Sequence, residues 1–180
     1  TKDDGAKETV SADRILIAAG SVPAIPPIPG VKDNAACIDS PGALSLDAIP
    51  ATLLVIGGGV IGIEFASIYA AFGTKVTVVE AMPKLLPMMD GELTGMVRKS
   101  LEAKGITIMT GAKVMAVESA FSGASVQVEV NGRKETFTAE KVLVAVGRRT
   151  DTEALNLDAV GVKHDRGRIS VNDRMETSLK

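Results

Sequence analysis

The stretch that decides the fold runs from residue 53 to residue 80 and reads LLVIGGGVIGIEFASIYAAFGTKVTVVE. A short apolar run, residues 53–56, leads into consecutive glycines, and residues 61–72 have the length and composition of a buried helix that ends at Gly73. Residues 75–80 (KVTVVE) then read as a β-branched strand that ends in an acid. This order of strand, helix and strand predicts a right-handed parallel crossover.

A second crossover follows directly. Asp90 is the expected N-cap of a helix over residues 91–104, with Gly105 as its end, and residues 106–109 (ITIM) read as the next strand. The chain then begins to alternate apolar and polar residues, as a half-buried antiparallel strand does. This alternation covers residues 114–117, 126–130 and 133–137.

Asn131-Gly132 lies between two of these runs and predicts a two-residue hairpin turn, so we expect a three-stranded antiparallel meander. Residues 141–146 (KVLVAV) are uniformly apolar, which is typical of a buried parallel strand. The sequence therefore predicts an α/β fold: a Rossmann-like, doubly wound parallel sheet in which the meander takes the place of one crossover helix.

The residues before this core are punctuated by prolines. Residues 14–19 (RILIAA) predict a strand that ends at Gly20, and the proline-rich residues 21–30 predict an extended connector. Residues 40–50 predict a short helical turn that closes at Pro50, and a short strand is expected at residues 169–171.

Composition excludes several classes of function. The chain has 180 residues, 20 Lys plus Arg against 22 Asp plus Glu, and a net charge of −2, so it offers no basic stripe for nucleic acid. Cys37 is its single cysteine, which excludes an intrachain disulfide and a Cys-rich metal site. No secretory signal is visible at the start, and residues 51–73 are apolar but hold three consecutive glycines and Glu64, which argues against a membrane helix.

The glycine turn matches the dinucleotide fingerprint GxGxxG, and it has the required context of a preceding strand, a following helix and an acid at the end of the next strand. Gly57 permits the tight turn, Gly59 lets backbone N–H groups approach a pyrophosphate, and Gly62 lets helix and strand pack closely. The predicted cofactor contacts in this turn are Gly57, Gly58, Gly59, Val60, Ile61 and Gly62.

Glu80 is the expected ribose ligand, because its carboxylate can accept hydrogen bonds from both adenosine ribose hydroxyls. A carboxylate repels a 2′-phosphate, and the residues that follow provide no Arg to receive one, so the sequence favours NAD over NADP; Lys84 is the one nearby cation.

Two other titratable residues stand out. Glu64 has two open interpretations: a carboxylate favoured early in a helix by the helix dipole, or an acid close to the nicotinamide end of the cofactor. His164 lies in a polar segment with no evident orienting partner and is expected to be an ordinary exposed residue. The methionines at positions 82, 88 and 89 are expected to serve packing.

Together these motifs resemble the flavoprotein disulfide reductases of the pyridine nucleotide-disulfide oxidoreductase family, and within them the dihydrolipoamide dehydrogenase branch. RILIAAGS is similar to the family's strand turn that passes FAD, LLVIGGGVIGIEFA to its nicotinamide-dinucleotide fingerprint, and VLVAVGRRTDT to its second glycine turn. The segment LLPMMDGEL after a glutamate favours the lipoamide branch.

The resemblance implies further contacts: Val114 near the adenine, Gly147 near the nicotinamide half, and Gly20 and Ser21 on the FAD side. Glu64 would face flavin and nicotinamide, where the family pairs it with a lysine of the FAD domain; no other catalytic residue is expected in this chain. The implied domains are residual FAD-domain strands and a linker (1–45), an NAD-binding domain (46–149) and a return segment (150–180).

The implied function is to bind NAD(H) and present it to FAD in a parent enzyme that oxidises dihydrolipoamide with NAD, the isolated chain being inactive. The implied partners are the parent's FAD domain and a dihydrolipoamide-carrying acyltransferase complex, with no nucleic acid, no metal and no membrane. A homodimeric parent in the cytoplasm, or in the mitochondrial matrix of a eukaryote, is expected. Two alternatives remain open: the same domain in an NADH oxidase or a mercuric or ferredoxin reductase, and a non-catalytic NAD-sensing module.

Overall fold

The computed structural model describes residues 5–179, which form two compact units. One unit is Pro23–Arg149; the other joins the residues up to Val22 with those from Thr150 onward. The strands are β1 (Ser21–Pro23), β2 (Cys37–Ile38), β3 (Thr52–Ile56), β4 (Lys75–Glu80), β5 (Thr107–Thr110), β6 (Ala112–Ala120), β7 (Gly123–Val130), β8 (Arg133–Ala139), β9 (Lys141–Val144), β10 (Arg148–Thr150), β11 (His164–Asp165) and β12 (Arg168–Ile169). The helices are α1 (Ser40–Leu44), α2 (Val60–Ala71), α3 (Gly91–Ala103) and α4 (Leu157–Val160), with a 3-10 turn at Glu153–Leu155.

A five-stranded parallel sheet is the centre of the larger unit. Its strand order is β2, β9, β3, β4, β5, with Leu54 opposite Thr77 on one side and Val142 on the other. Both faces of the sheet are covered, which is why β3 and β9 are almost continuously apolar. The predicted parallel α/β fold is confirmed.

Alternate residues of β3 enter different cores. Leu53 and Val55 face α1, α2 and α3, in a cluster that includes Phe65, Tyr69 and Leu101. Leu54 and Ile56 face the opposite way, toward β6, β7 and β8. Burial of one such side chain stabilises the folded state by about 1.5–3 kcal/mol relative to leaving it exposed to water.

The antiparallel meander forms as predicted. β6 pairs with β7, and β7 pairs with β8. Asn131 and Gly132 join the last two strands, both with positive φ (51° and 73°), which is the backbone that a two-residue hairpin turn of the mirror-image type requires. The meander therefore covers the sheet face that carries no helix.

The two predicted helices of the crossovers are present with shifted ends. α2 begins at Val60, one residue earlier than predicted, and Asp90 caps α3 by accepting hydrogen bonds from the N–H groups of Glu92 and Leu93. Within residues 5–179 no helix combines the length and apolar character needed to cross a bilayer. The apolar stretch 51–73 is instead β3, the glycine turn and α2.

The strand predicted over residues 14–19 is wrong. In the described chain these residues belong to no strand, and Ile15 and Leu16 are 81% and 90% exposed. An isolated strand leaves its backbone groups and apolar side chains in water, so an apolar run becomes a strand only beside a hydrogen-bonded neighbour. The predicted division into residues 1–45, 46–149 and 150–180 concerns function and stays a prediction.

Candidate functional site

A cleft of about 510 Å³ lies in the larger unit, where the carboxyl ends of β3, β4 and β9 meet. This edge of a parallel sheet is where open α/β folds bind their ligands. The lining comes from the glycine turn, the end of β4 and the loop after it, β6, and the residues after β9: Gly57, Gly59, Val60, Ile61, Val79, Glu80, Ala81, Met82, Pro87, Ala112, Lys113, Val114, Ala145, Val146 and Gly147, with Ile28 and Ile56.

Gly57 and Gly62 are glycines because the fold leaves no room for a side chain. Gly57 has φ of 112°, and a Cβ there would lie 2.5 Å from the carbonyl oxygen of Ala145. A Cβ on Gly62 would collide with the carbonyl oxygen of Gly57. The first of these glycines thus permits the turn, and the other lets α2 start directly against β3, as the fingerprint predicts.

Gly59 differs from both. It has extended backbone (φ −76°, ψ −177°), and a Cβ built on it would have no atom within 4 Å. Nothing in the described chain therefore requires glycine at this position, although its neighbours in the turn are tightly constrained. Gly59 is also one of the residues that line the cleft.

The first turn of α2 leaves backbone donors available beside this space. Gly59 is its N-cap, it has no side-chain cap, and its carbonyl accepts the first helical hydrogen bond, from the N–H of Ile63. The N–H groups at the start of a helix carry partial positive charge. A glycine without a Cβ at this point exposes them to an anion in the cleft.

Glu80 is the buried carboxylate of the cleft, with 8% of its surface exposed. Its Oε2 accepts a hydrogen bond from the N–H of Gly58 at 2.5 Å, and its Oε1 accepts one from the N–H of Met82 at 2.7 Å. A carboxylate has about four acceptor positions, so each oxygen keeps capacity for another donor. Glu80 is therefore fixed in place and still able to bind hydroxyl groups.

Val114 and Gly147 lie on other walls of the same cleft. Val114 is buried on β6, and Gly147 follows β9 with φ of 120° while its carbonyl accepts a hydrogen bond from the N–H of Ala24 at 3.0 Å. The structure thus brings these two residues together with four of the fingerprint residues and Glu80. Gly58 and Gly62 belong to the turn without lining the cleft.

Glu64 lies outside the cleft. It is exposed on α2, and the first turn of that helix contains no acidic residue, so the helix-dipole interpretation is not supported by its position. Its expected position beside flavin and nicotinamide stays a prediction.

The cationic residue that lines the cleft is Lys113, and not Lys84, which the sequence suggested as the cation nearest to Glu80. Lys84 donates a hydrogen bond to the carbonyl of Met89 at 2.8 Å and is not part of the cleft lining. Lys113, which sequence reasoning missed, is exposed on β6 and lines the cleft; it and Glu80 are the charged residues among the lining groups. The resemblance that named Val114 gave no role to Lys113, although it directly precedes the strand predicted at residues 114–117.

The residues expected on the FAD side belong to the other unit. Gly20 has φ of 74° and accepts a hydrogen bond at its carbonyl from the N–H of Asp151 at 3.2 Å. Ser21 begins β1 and is exposed. Their contact with FAD stays a prediction.

Two further expectations are wrong. The side chain of His164 is 20% exposed and has two partners: Nδ1 accepts the N–H of Gly167, and Nε2 lies 3.1 Å from Asp158 Oδ1. Its hairpin, β11–β12, supplies the partner that the sequence did not show. The methionines at 82, 88 and 89 are 50%, 97% and 49% exposed, so they are not core residues of the described chain.

No group of three or more metal-binding side chains occurs within residues 5–179. Cys37, half-buried on β2, has a thiol whose pKa is raised by burial, and a thiol with a raised pKa is a poor nucleophile at neutral pH. The cleft therefore offers binding groups: helix N–H donors, a buried carboxylate and apolar walls.

Comparison with known sequences gives a consistent set of relatives. The sequence model of the pyridine nucleotide-disulphide oxidoreductase family matches residues 1–180. A dihydrolipoamide dehydrogenase of Chaetomium thermophilum is 41% identical over 98% of the chain and 36% of its own length. A dihydrolipoyl dehydrogenase of Thermus scotoductus is 44% identical over 95% of the chain and 38% of its own length. The chain thus spans little more than a third of these relatives.

Solved structures agree on the fold. The HOCl-induced flavoprotein disulfide reductase RclA from Escherichia coli matches 89% of the chain and 36% of its own length, with a TM-score of 0.80 and 33% identity. A water-forming NADH oxidase from Lactobacillus brevis, solved bound to NADH, matches 97% of the chain and 39% of its own length with a TM-score of 0.80; at 24% identity it supports the fold alone.

Proposed function

Because the chain belongs to the pyridine nucleotide-disulphide oxidoreductase family, we propose that it is the part of a dihydrolipoamide dehydrogenase that binds NAD(H) and presents the nicotinamide to FAD. Its share of the reaction is binding, orientation and electrostatics. The chain spans only 36% and 38% of the length of these relatives, so we assign turnover of dihydrolipoamide to the parent enzyme and expect the isolated chain to be inactive.

The observation that carries this proposal is Gly59. Its missing side chain leaves a space that no atom of the described chain approaches, directly at the start of α2. Open space at a residue that lines the cleft, beside N–H groups with partial positive charge, fits a pyrophosphate. In the bound state, the N–H groups of residues 59–62 would hold the pyrophosphate, and Gly59 would let it approach the backbone.

Glu80 supports NAD rather than NADP as the ligand. Its oxygens are held by two backbone N–H groups and have acceptor capacity left for the two ribose hydroxyls. A 2′-phosphate would place a dianion against a carboxylate that is 8% exposed, where screening by water is weak. The exposed Lys113 would offset only part of that repulsion, because its charge is well screened.

The other walls would hold the two ends of the dinucleotide. Val114 would pack beside the adenine, and Gly147 would let the backbone lie close to the nicotinamide half. The nicotinamide supplies or accepts a hydride when NAD(H) is bound. Glu64 would act from α2 on the nicotinamide and flavin side, and Gly20 and Ser21 would contact FAD held mainly by the rest of the parent.

The wider setting is part of the proposal and comes from the family resemblance given in the sequence analysis. As a dihydrolipoamide dehydrogenase, the parent would be a homodimer that serves a dihydrolipoamide-carrying acyltransferase complex, in the cytoplasm or the mitochondrial matrix.

A titration of the 180-residue chain with NADH and with NADPH, followed by cofactor fluorescence, tests the proposal. We expect weak but saturable NADH binding and at least about tenfold weaker NADPH binding, a difference of about 1.4 kcal/mol. The variant Glu80→Ala with Ala81→Arg should reverse part of that preference. Equal affinity for the two cofactors would contradict the role of Glu80, and absence of binding would contradict the proposal itself.

A second candidate is the same domain in another flavoprotein disulfide reductase. The likeness to the E. coli reductase, 33% identity at a TM-score of 0.80, favours it. The two candidates share the NAD(H) site and differ in the acceptor, so turnover of dihydrolipoamide by the full-length parent separates them.

A further inference from the structure

The loop after β4, residues 81–89, contacts Gly58 of the glycine turn through two of its residues, Leu85 and Leu86. We call this segment the strap; it contains the whole LLPMM motif (residues 85–89). The N–H of Leu86 donates to the carbonyl of Gly58 at 2.9 Å, while the N–H of Gly58 donates to Glu80. Both backbone polar groups of Gly58 are therefore bonded by the end of β4 and the strap, which fixes the plane of the peptides on either side.

Leu85 adds a packing contact to these hydrogen bonds. A Cβ on Gly58 would lie 2.6 Å from Leu85 Cδ2, so the leucine side chain occupies the place where a side chain of residue 58 would be. Leu85 is 2% exposed and belongs to the core between the sheet and the helices. Leu85 therefore packs against Gly58 on the side of the core, while the next residue, Gly59, lines the cleft.

Leu86 adopts an unfavourable backbone conformation at this contact. Its φ is 48°, in the left-handed region that costs a residue with a side chain about 1–2 kcal/mol. Such a conformation persists where surrounding contacts determine it, and it is concentrated at functional sites. Here it directs the N–H of Leu86 at Gly58 while the side chain stays buried, 8% exposed.

The strap is held at its start by the turn between β5 and β6, and at its end by hydrogen bonds within the strap itself. The carbonyl of Met82 accepts the N–H of Gly111 at 2.9 Å, and the N–H of Met89 donates to the carbonyl of Leu86 at 2.8 Å. Lys84 closes it by donating to Met89. A loop held in this way transmits its position to the residue that it contacts.

We propose that Leu85 and Leu86 are positioning residues of the dinucleotide site: through Gly58 they fix the direction in which the N–H of Gly59 and the start of α2 face the pyrophosphate. This inference rests on the proposed function. Neither leucine touches the cleft, so both act on the ligand through the turn. The LLPMM motif then has a defined purpose in this chain, which is to hold the fingerprint in its binding geometry.

The test compares two buried leucines of the same core. Leu85→Ala and Leu101→Ala each truncate a side chain that is at most 4% exposed, and Leu101 lies on α3, away from the turn. Each variant of the 180-residue chain is titrated with NADH by fluorescence, and its thermal unfolding is measured. We expect both to lose stability, but Leu85→Ala alone to lose roughly tenfold in NADH affinity, because small misplacements of binding groups are costly. The conservative variant Leu85→Met should restore most of the affinity.

The outcomes separate the two proposals. If the wild-type chain binds NADH and the two alanine variants lose affinity equally, or neither loses any, the positioning role is wrong and the proposed function stands. If the wild-type chain does not bind NADH, both are wrong. If Leu85→Ala does not fold, the smaller truncations Leu85→Val and Leu101→Val give the same comparison.

Discussion

Two apolar runs in this chain end at a glycine, and they behave in opposite ways. Residues 53–56 run into Gly57 and form a fully paired strand whose side chains are at most 5% exposed. Residues 14–19 run into Gly20 and form no strand in the described chain, with Leu16 90% exposed. An apolar sequence is thus not sufficient to form a strand. A hydrogen-bonded neighbouring strand is also required, and β3 has one on each side, β4 and β9.

The largest expected effect is a difference in the free energy of unfolding between leucine truncations in residues 53–56 and in residues 14–19. Leu54→Ala should lower the free energy of unfolding by about 2–5 kcal/mol, because it leaves a cavity between the sheet and the meander. Leu16→Ala should change it by less than about 0.5 kcal/mol, because Leu16 is already in water. Urea unfolding of both variants measures the difference, and similar losses would show that residues 14–19 are packed after all.

A smaller difference in the free energy of unfolding is expected between substitutions of Gly57 and Gly20, the glycines that follow the two runs. Gly57→Ala places a Cβ 2.5 Å from the carbonyl oxygen of Ala145 at φ of 112°, and should cost about 3 kcal/mol. Gly20→Ala meets no atom within 4 Å and should cost about 1 kcal/mol, for its positive φ alone. The same urea experiment applies. A larger cost at Gly20 would mean that its surroundings are tighter than the structure has them.

The smallest effect on stability belongs to Gly59, and there we expect an effect on binding. Gly59→Ala should lower the free energy of unfolding by less than about 1 kcal/mol, since the new methyl group meets nothing and only the N-cap preference for glycine is lost, yet weaken NADH binding by at least about tenfold. Gly95→Ala on α3 is the matched control, because it too meets no atom within 4 Å and lies outside the cleft. Unchanged NADH affinity in Gly59→Ala would remove the central support for the proposed site.

The same contrast explains what the sequence could predict. The larger unit is built from local signals: Gly57 turns the chain after β3, Gly62 lets α2 pack closely on that turn, Asp90 caps α3, and Asn131-Gly132 makes a hairpin. Residues 14–19 carry an equally good local signal, but strand formation depends on a partner that no local pattern contains. Sequence reasoning is reliable here wherever the decisive contact lies within a few residues.

The candidate site follows this rule as well. The spacing of Glu80 predicts a ribose ligand, but it does not predict the hydrogen bonds of Glu80 to Gly58 and Met82, because these depend on how the turn and the strap fold together. Lys113 was missed because it approaches the cleft from a strand more than thirty positions away from Glu80. His164 has one partner in its own hairpin, Gly167, and another on α4, Asp158, and composition could not reveal either.

The most direct test of the central claim is a backbone amide map of the isotope-labelled chain by NMR, recorded while NADH is added. We expect shifts concentrated at residues 57–62, Met82, Val114 and Gly147, with residues 5–19 unchanged. NADPH at the same concentration should produce smaller shifts at the same positions. Absence of shifts in the glycine turn, or shifts centred elsewhere, would contradict the assignment of this cleft to NAD(H).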